Sequence, residues 1–350
     1  MTNPLRFLIS ALCENSDSHI LIHVDQKSDI SPFLDEFSGH AQVQFIQNRT
    51  KVFWGSFSQI EAVLELLKVA QQYDYHYFSL LSGDDIPLQS ISKFHNYLEK
   101  NNYEFIDLDR YPDCKIEPRV KYKHGASFFK KHRTQQDLLS CKWQRKLFKI
   151  GLKRNKIDHL PRLYKGSLWF TLSHSAIDYI LKYLNQNPDY LTPFKTSLCG
   201  DEVFFHTIMF NSPFLSKIKT KDHMYESFTR YIDWKSGPDF PRTFDETDFE
   251  KIKSSDMFFA RKVKYNISLE KLKTTFNIDD LQIDYLFDMR VKKLKKTSVQ
   301  NLRDLIIEFL NMLNDGNTVT LHELNQNHKE ISKYIYKFEI FDDFQIRCRD

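Results

Sequence analysis

No stretch of this 350-residue chain approaches the ~18 consecutive apolar residues that a membrane-spanning helix needs. The first residues show no secretory leader pattern, because Glu14 and Asp17 interrupt any apolar run. Cysteine is sparse and odd in number: Cys13, Cys114, Cys141, Cys199 and Cys348. No two of them have metal-site spacing, which argues against zinc. The odd count reads as mostly free thiols in a reducing compartment. There is no internal repeat and no low-complexity tract. These absences predict a soluble, cytoplasmic protein.

What is present can fill a large interior. Hydrophobic residues make up 41% of the chain, with 30 Phe and 17 Tyr. That suffices for one large α/β domain plus an appendage, or for two domains. The net charge is only +4, but it is unevenly spread. Between Lys115 and Lys165 there are 16 Lys and Arg against 3 acidic residues, a local excess of +13. Within that stretch, residues 136–154 read as a helix. Leu139, Trp143 and Phe148 alternate there with Lys142, Arg145, Lys146, Lys149, Lys153 and Arg154. A basic helix with a Trp and Leu face suits the surface of an anionic membrane. A solvated basic face is the plain alternative, and nucleic acid finds no recognition motif here.

The order of elements predicts an α/β fold. A helix over 5–12 precedes the short apolar run His19 to Val24, which ends in the polar residue Asp25, as a buried parallel strand ends. Val43 to Ile46 is a second strand. Ser58-Gln59-Ile60-Glu61 has the pattern of a capping box, followed by Ile60, Val63, Leu64 and Leu67 at helical spacing. Tyr75 to Leu81 is a strand running into Ser82-Gly83-Asp84-Asp85, and Tyr103 to Leu108 is another. This β-α-β-α-β alternation predicts a mostly parallel sheet covered by helices. Its ligands would sit beyond the carboxyl ends of the strands, where Asp25 and Asp84-Asp85 fall. Later segments read as a strand over 168–172, a helix over 175–184 and a helix over 203–210 opened by Asp201-Glu202. Gly237, Pro238 and Pro241 mark a loop. Beyond Lys264 helical, highly charged patterns dominate, including Arg290 to Lys296 and a helix over 300–313. The division expected is a catalytic domain over 1–264 and a helical accessory region over 265–350.

Several residues have the chemistry of sugar transfer. A carboxylate such as Glu202 can take a proton from an attacking hydroxyl. Arg242, Arg261 and Lys262 can stabilise a departing diphosphate. Trp54, Trp169 and Trp234 can orient sugar rings. Each has an ordinary reading by itself. Acidic residues are favoured in a first helical turn, Arg261-Lys262 is an unremarkable surface pair, and His23 at a strand end is commonly structural. Asp84-Asp85 can stabilise a turn, or supply oxygen ligands to a divalent cation.

Their joint order resembles the core-2/I-branching β-1,6-N-acetylglucosaminyltransferase family, which includes the peptide O-xylosyltransferases and bacterial relatives. The resemblance runs from about Leu5 to Lys262. It is carried by His23-Val24-Asp25-Gln26-Lys27-Ser28, by Tyr77 to Leu88 and by Lys165 to Leu181 with Gly166-Ser167-Leu168-Trp169-Phe170. It continues through Asp201-Glu202, Arg230 to Trp234, Pro241-Arg242 and Phe259-Ala260-Arg261-Lys262. The resemblance implies a GT-A-like fold and inverting, metal-independent transfer from a UDP-sugar with a β-linkage. It places the base on Glu202 and the diphosphate cations on Arg242 and Lys262, beside Arg261. It puts the nucleoside near Asp25 and the acceptor near Trp234. The reading of the residues themselves adds His23, Asp84 and Asp85 on the nucleotide and donor side, and Ser167 and Trp169 on the acceptor side. The donor sugar implied is N-acetylglucosamine, xylose or another hexose.

Three departures qualify these expectations. Two adjacent carboxylates, Asp84-Asp85, stand where the family generally has one, so a divalent metal there stays open. The chain starts at Met1-Thr2-Asn3-Pro4, already at the first helix, so an upstream strand is expected and an extended chain should be more stable or more active. Third, the family's animal members carry a transmembrane anchor and disulfides, of which this sequence shows no sign, so a bacterial role in surface-polysaccharide synthesis is expected, with a lipid-linked glycan acceptor and peripheral contact at the inner face of the membrane. A catalytically inert carbohydrate-binding relative and a basic nucleic-acid-binding protein remain as rivals.

Overall fold

The computed structural model describes residues 1–108, 116–130, 132–219, 229–238 and 241–276. In chain order its helices and strands begin with α1 (Asn3–Cys13), β1 (Ile20–Ile22), α2 (Ser31–Phe37), β2 (Val43–Phe45), α3 (Ser58–Ala70), β3 (Tyr77–Ser79), β4 (Ile86–Pro87) and α4 (Ile91–Asn101). They continue with α5 (Ile116–Lys121), α6 (Gln135–Lys149), β5 (Thr171–Ser173), α7 (His174–Gln186), α8 (Leu191–Phe194), α9 (Asp201–Phe210), β6 (Arg230–Ile232), α10 (Phe249–Lys253), β7 (Phe259–Arg261) and α11 (Leu269–Thr275).

The expected β-α-β-α-β opening is present, and the fold is the α/β class anticipated. β1 pairs in parallel with β2, Ile20 opposite Val43, with α2 as the crossover. The pairings are mixed rather than purely parallel. β6 runs parallel to β7, whereas β3 pairs antiparallel with β5 and β4 antiparallel with β7. The segment expected as a strand over 103–108 makes only single bridges, Glu104 with Ile218 and Phe105 with Thr171. Glu104 itself is buried, and its carboxylate accepts from the Ser173 backbone N–H at 2.8 Å and hydroxyl at 2.6 Å.

α1 ties several parts of the core together. Thr2 accepts a hydrogen bond from the Leu5 backbone, and Pro4 lies in the first turn, where a missing N–H costs nothing. Phe7 packs with Ile86, Phe244, Leu272 and Phe276, Leu8 with Phe94 and Phe259, and Ile9 with Ile20 and Phe45. Leu272 and Phe276 lie past the expected boundary near 265, yet they share this core, and the compact unit runs from Met1 to Asp279. The charged run over 290–296, the helix expected over 300–313, Cys114 and Cys348 lie outside the described residues.

The largest cluster surrounds α9. Val203 to Phe210 are all buried, six of them apolar with His206 and Thr207 between, so this helix is enclosed on nearly every side, as a central core helix is. Its first turn is thereby fixed in place.

One local expectation fails. Ser58 is not the cap of α3, because its hydroxyl accepts from the Phe53 backbone N–H at 2.8 Å and closes the preceding turn. Glu61 N–H bonds instead to the Phe57 carbonyl at 3.0 Å. A working capping box occurs elsewhere, between Thr134 and Asp137 at the start of α6. That helix stops at Lys149, earlier than expected, because Gly151 and Lys153 turn left-handed at φ +84° and +53°.

Candidate active site

A single run, Lys165 to Phe170, links most of the candidate residues. Lys165 Nζ lies 3.4 Å from Glu202 Oε2, and the Gly166 N–H donates to the Glu202 carbonyl at 3.0 Å. Ser167 donates twice to Asp107, from its backbone N–H at 2.7 Å and its hydroxyl at 2.8 Å. Trp169 lies under two guanidiniums, Arg261 at 4.0 Å and Arg230 at 5.3 Å from the ring centroid. The glycine is obligatory for this approach. A Cβ at Gly166 would stand 2.3 Å from the Asp107 carbonyl oxygen and 2.4 Å from His206 Nε2.

Glu202 sits in the first turn of α9, where the helix dipole favours a negative charge. Arg119 Nη1 donates to its Oε2 at 2.8 Å, so both cations hold the same oxygen. Oε1 accepts from none of the described residues. The side chain is 27% exposed, so that second oxygen can be reached by a bound molecule. Neighbouring Asp201 differs sharply. It is buried and its Oδ1 lacks a hydrogen bond. Desolvation first, and the charge of Glu202 second, push its pKa up to about 7. Gly200 makes this turn possible, since a Cβ there would lie 2.0 Å from Ser197 Oγ.

Asp85 is the hub of a second group. Fully buried, it faces Arg261 at 3.1 Å through Oδ1 and Arg230 at 3.2 Å through Oδ2, and Oδ2 also accepts from the Ser82 N–H at 2.9 Å. Both carboxylate oxygens are therefore already neutralised by protein cations. Asp84 is half-buried, and its carbonyl accepts from Val263 N–H at 3.0 Å, joining the turn to the Arg261-Lys262 segment. Among the described residues no group of three or more His, Cys, Asp or Glu is arranged to hold a metal ion.

The turn after β1 forms the third group. His23 Nε2 accepts from Thr50 N–H at 2.9 Å, so this nitrogen is unprotonated, and burial lowers the pKa of the ring. Asp25 Oδ1 accepts from Lys27 N–H at 3.0 Å and Val52 N–H at 3.2 Å. The same stretch reaches the α9 entrance, where Cys199 N–H donates to the Gly55 carbonyl at 2.7 Å. Phe53 and Trp54 are half exposed beside it, at 49% each.

The remaining candidates lie on the 230–264 stretch. Arg242 is engaged by Asp248, with Nε 3.1 Å from Oδ1, and by the Ser236 carbonyl at 3.3 Å. Lys262 has its carbonyl bound by Phe244 N–H at 2.7 Å, and its ammonium has no ion-pair partner among the described residues. Trp234 is 47% exposed, presented by a tight turn in which Asp233 accepts from the Lys235 and Ser236 N–H groups. The Ser236 hydroxyl, above all, holds the Asp233 carboxylate well below its ordinary range.

The expected residues thus fall into linked groups: Glu202 with Lys165, Ser167 with Asp107, and Trp169 with Arg261 and Asp85. Arg242 and Trp234 touch none of these directly through side chains. Arg119, Lys165, Asp107, Arg230 and His206 were not among the expected site residues. Asp107 could have been found, because it stands at the carboxyl end of a strand pattern, like Asp25 and Asp84. Arg119 carries no local signal, since its partner is far along the chain.

A family model described as Branch: Core-2/I-Branching enzyme matches residues 2–258. The match spans more than half of the chain and ends just short of Arg261-Lys262. No curated protein matches the chain. With Glu202, the Gly166-Ser167 run and the Asp84-Asp85 turn all inside the matched span, the chain belongs to the core-2/I-branching enzyme family of glycosyltransferases.

Proposed function

We propose that the protein is an inverting transferase that moves a sugar from a UDP-sugar to an acceptor hydroxyl, with Glu202 as the base. The observation that carries this reading is the unequal treatment of the two carboxylate oxygens. Arg119 and Lys165 hold Oε2, which leaves Oε1 for the acceptor. The acceptor O–H proton passes to Oε1 as its oxygen attacks the anomeric carbon. The bond from that carbon to the diphosphate oxygen breaks, and UDP leaves with the electron pair. Attack opposite the leaving group gives the β-linkage.

Cations supply what a metal would otherwise provide. Lys262, whose ammonium has no ion-pair partner among the described residues, and Arg242, held in position by Asp248, are assigned to the departing diphosphate. The neutralised state of Asp85 supports metal-independent transfer, because its oxygens already serve Arg230 and Arg261. In this reading Arg261, backed by Asp85, serves the donor side together with His23, Asp25 and Asp84, which line the nucleotide. Ser167, Trp169 and Trp234 receive the acceptor, a glycan or lipid-linked glycan of a surface polysaccharide. The donor is UDP-N-acetylglucosamine, UDP-xylose or another UDP-hexose.

UDP release from a panel of UDP-sugars in excess chelator tests this. The expected outcome is chelator-resistant release from one donor, and loss of UDP affinity in Lys262→Met. Release that depends on added divalent cation, or no affinity for UDP in calorimetry, would overturn it.

A further inference from the structure

α6 is built the wrong way round for a helix that meets only water. Its buried residues, Asp137, Cys141, Gln144 and Phe148, define the inner face at i, i+4, i+7 and i+11. The residues two positions on, Leu139, Trp143, Lys146 and Ile150, repeat the same spacing and therefore lie along the opposite, outermost line. On a surface helix that line is normally the most polar. Here Leu139 is 60% exposed, Trp143 66% and Ile150 71%. Leu152, just beyond the helix, is 53% exposed. A second stripe beside it carries Lys142, Arg145 and Lys149, all exposed.

The apolar tip is not a loose loop. Asn155 Nδ2 donates to the carbonyls of Val120 at 2.8 Å and Pro193 at 3.0 Å, and Lys123 N–H donates to the Lys153 carbonyl at 2.8 Å. On the inner side Phe148 stacks on Tyr122, with centroids 4.6 Å apart. The protein therefore holds four large apolar side chains in water on a fixed base, where they add nothing to its own core. An exposed apolar row flanked by cations marks an interaction surface. A bare apolar row would fit many partners, but the flanking Lys and Arg select an anionic one. Trp and aliphatic tips suit insertion at the headgroup boundary, with the cations against the lipid charges.

We propose that α6 and the following Ile150–Leu152 turn dock the protein on an anionic lipid bilayer, with Trp143 and Ile150 inserted and Lys142, Arg145, Lys146 and Lys149 against the headgroups. Docking does not depend on the identity of the donor or of the base. It does bear on the acceptor side. The small core under α6 includes Leu198, whose N–H donates to the Arg119 carbonyl at 3.0 Å, and Arg119 holds Glu202. The inner side of α6 is thus linked to the base through Leu198 and Arg119.

The test is flotation of the full chain with vesicles of phosphatidylcholine alone or mixed with phosphatidylglycerol. Binding should require phosphatidylglycerol and weaken with salt. Reversal of Lys142, Arg145, Lys146 and Lys149 to Glu should weaken it by about 100-fold or more. Trp143→Ser with Ile150→Ser should weaken it by about tenfold or more. Donor hydrolysis in solution should stay at the wild-type level in both variants, which separates loss of docking from loss of the site. Wild-type chain that ignores phosphatidylglycerol vesicles would overturn the proposal. So would undiminished binding in both variants, or salt-dependent binding to an oligonucleotide in place of vesicles.

Discussion

Asp201→Asn should make the protein progressively more stable than wild type as the pH rises. In the unfolded chain this carboxyl has an ordinary value near 3.8; in the folded chain burial and Glu202 push it up to about 7. The folded state therefore keeps the proton after the unfolded state has released it. Its stabilising effect is complete below pH ~4 and is lost as the pH climbs to ~7. At ~1.36 kcal/mol per pH unit, the span from 3.8 to about 7 amounts to ~4 kcal/mol. Asparagine has no charge to release, so the variant escapes this loss. Urea denaturation at pH 5 and pH 7 reads the difference directly. The variant should gain ~2 kcal/mol on wild type between those two pH values, because the folded carboxyl is itself half ionised at the upper one. Glu202→Gln should shrink the wild-type slope, because the second cause of the raised value is the charge on Glu202. A stability difference between Asp201→Asn and wild type that does not change with pH would refute the reasoning.

Two further outcomes follow from the packing. Gly166→Ala should destabilise the fold by ~2 kcal/mol or more, because the new methyl would meet a backbone oxygen at 2.3 Å and His206 at 2.4 Å. Gly39→Ala, with nothing within 4 Å of its Cβ, should stay within ~0.5 kcal/mol of wild type, and thermal denaturation compares the two. Asp85→Asn strips the charge that faces buried Arg230 and nearly buried Arg261, so it should cost ~3–5 kcal/mol and lower Tm by on the order of 10 °C. An unchanged Tm would mean that the two guanidiniums find another partner.

The sequence was most informative where local pattern and tertiary use agree. α1 and α7 were legible because their apolar spacing is also their buried face, and α9 because Asp201-Glu202 opens an almost continuous apolar run. Patterns misled where a side chain had a nearer partner. Ser58 matches a capping box, but the Phe53 N–H takes its hydroxyl. The 103–108 segment has strand composition, but it makes only single bridges. In the site, motif order put forward Glu202, Asp85, Ser167 and Trp169 as candidates, but not the side chains that hold them. Arg119 and Asp107 act across 83 and 60 positions of sequence, and no local spacing encodes such a contact. Exposure was equally hidden. The Trp and Leu face of α6 was visible in order, but not that Phe148 turns inward while Leu139, Trp143 and Ile150 stand outermost.

The central claim is that Glu202 takes the acceptor proton. It is tested most directly by the transfer rate of Glu202→Gln at saturating donor and acceptor, measured beside its affinity for UDP. The amide keeps the shape and can still meet Arg119, but it cannot accept the proton. A kcat lower by ~10²-fold or more with an unchanged Kd for UDP is the predicted result. A kcat within about tenfold of wild type would contradict the assignment and leave Glu202 as an anchor for Arg119 and Lys165.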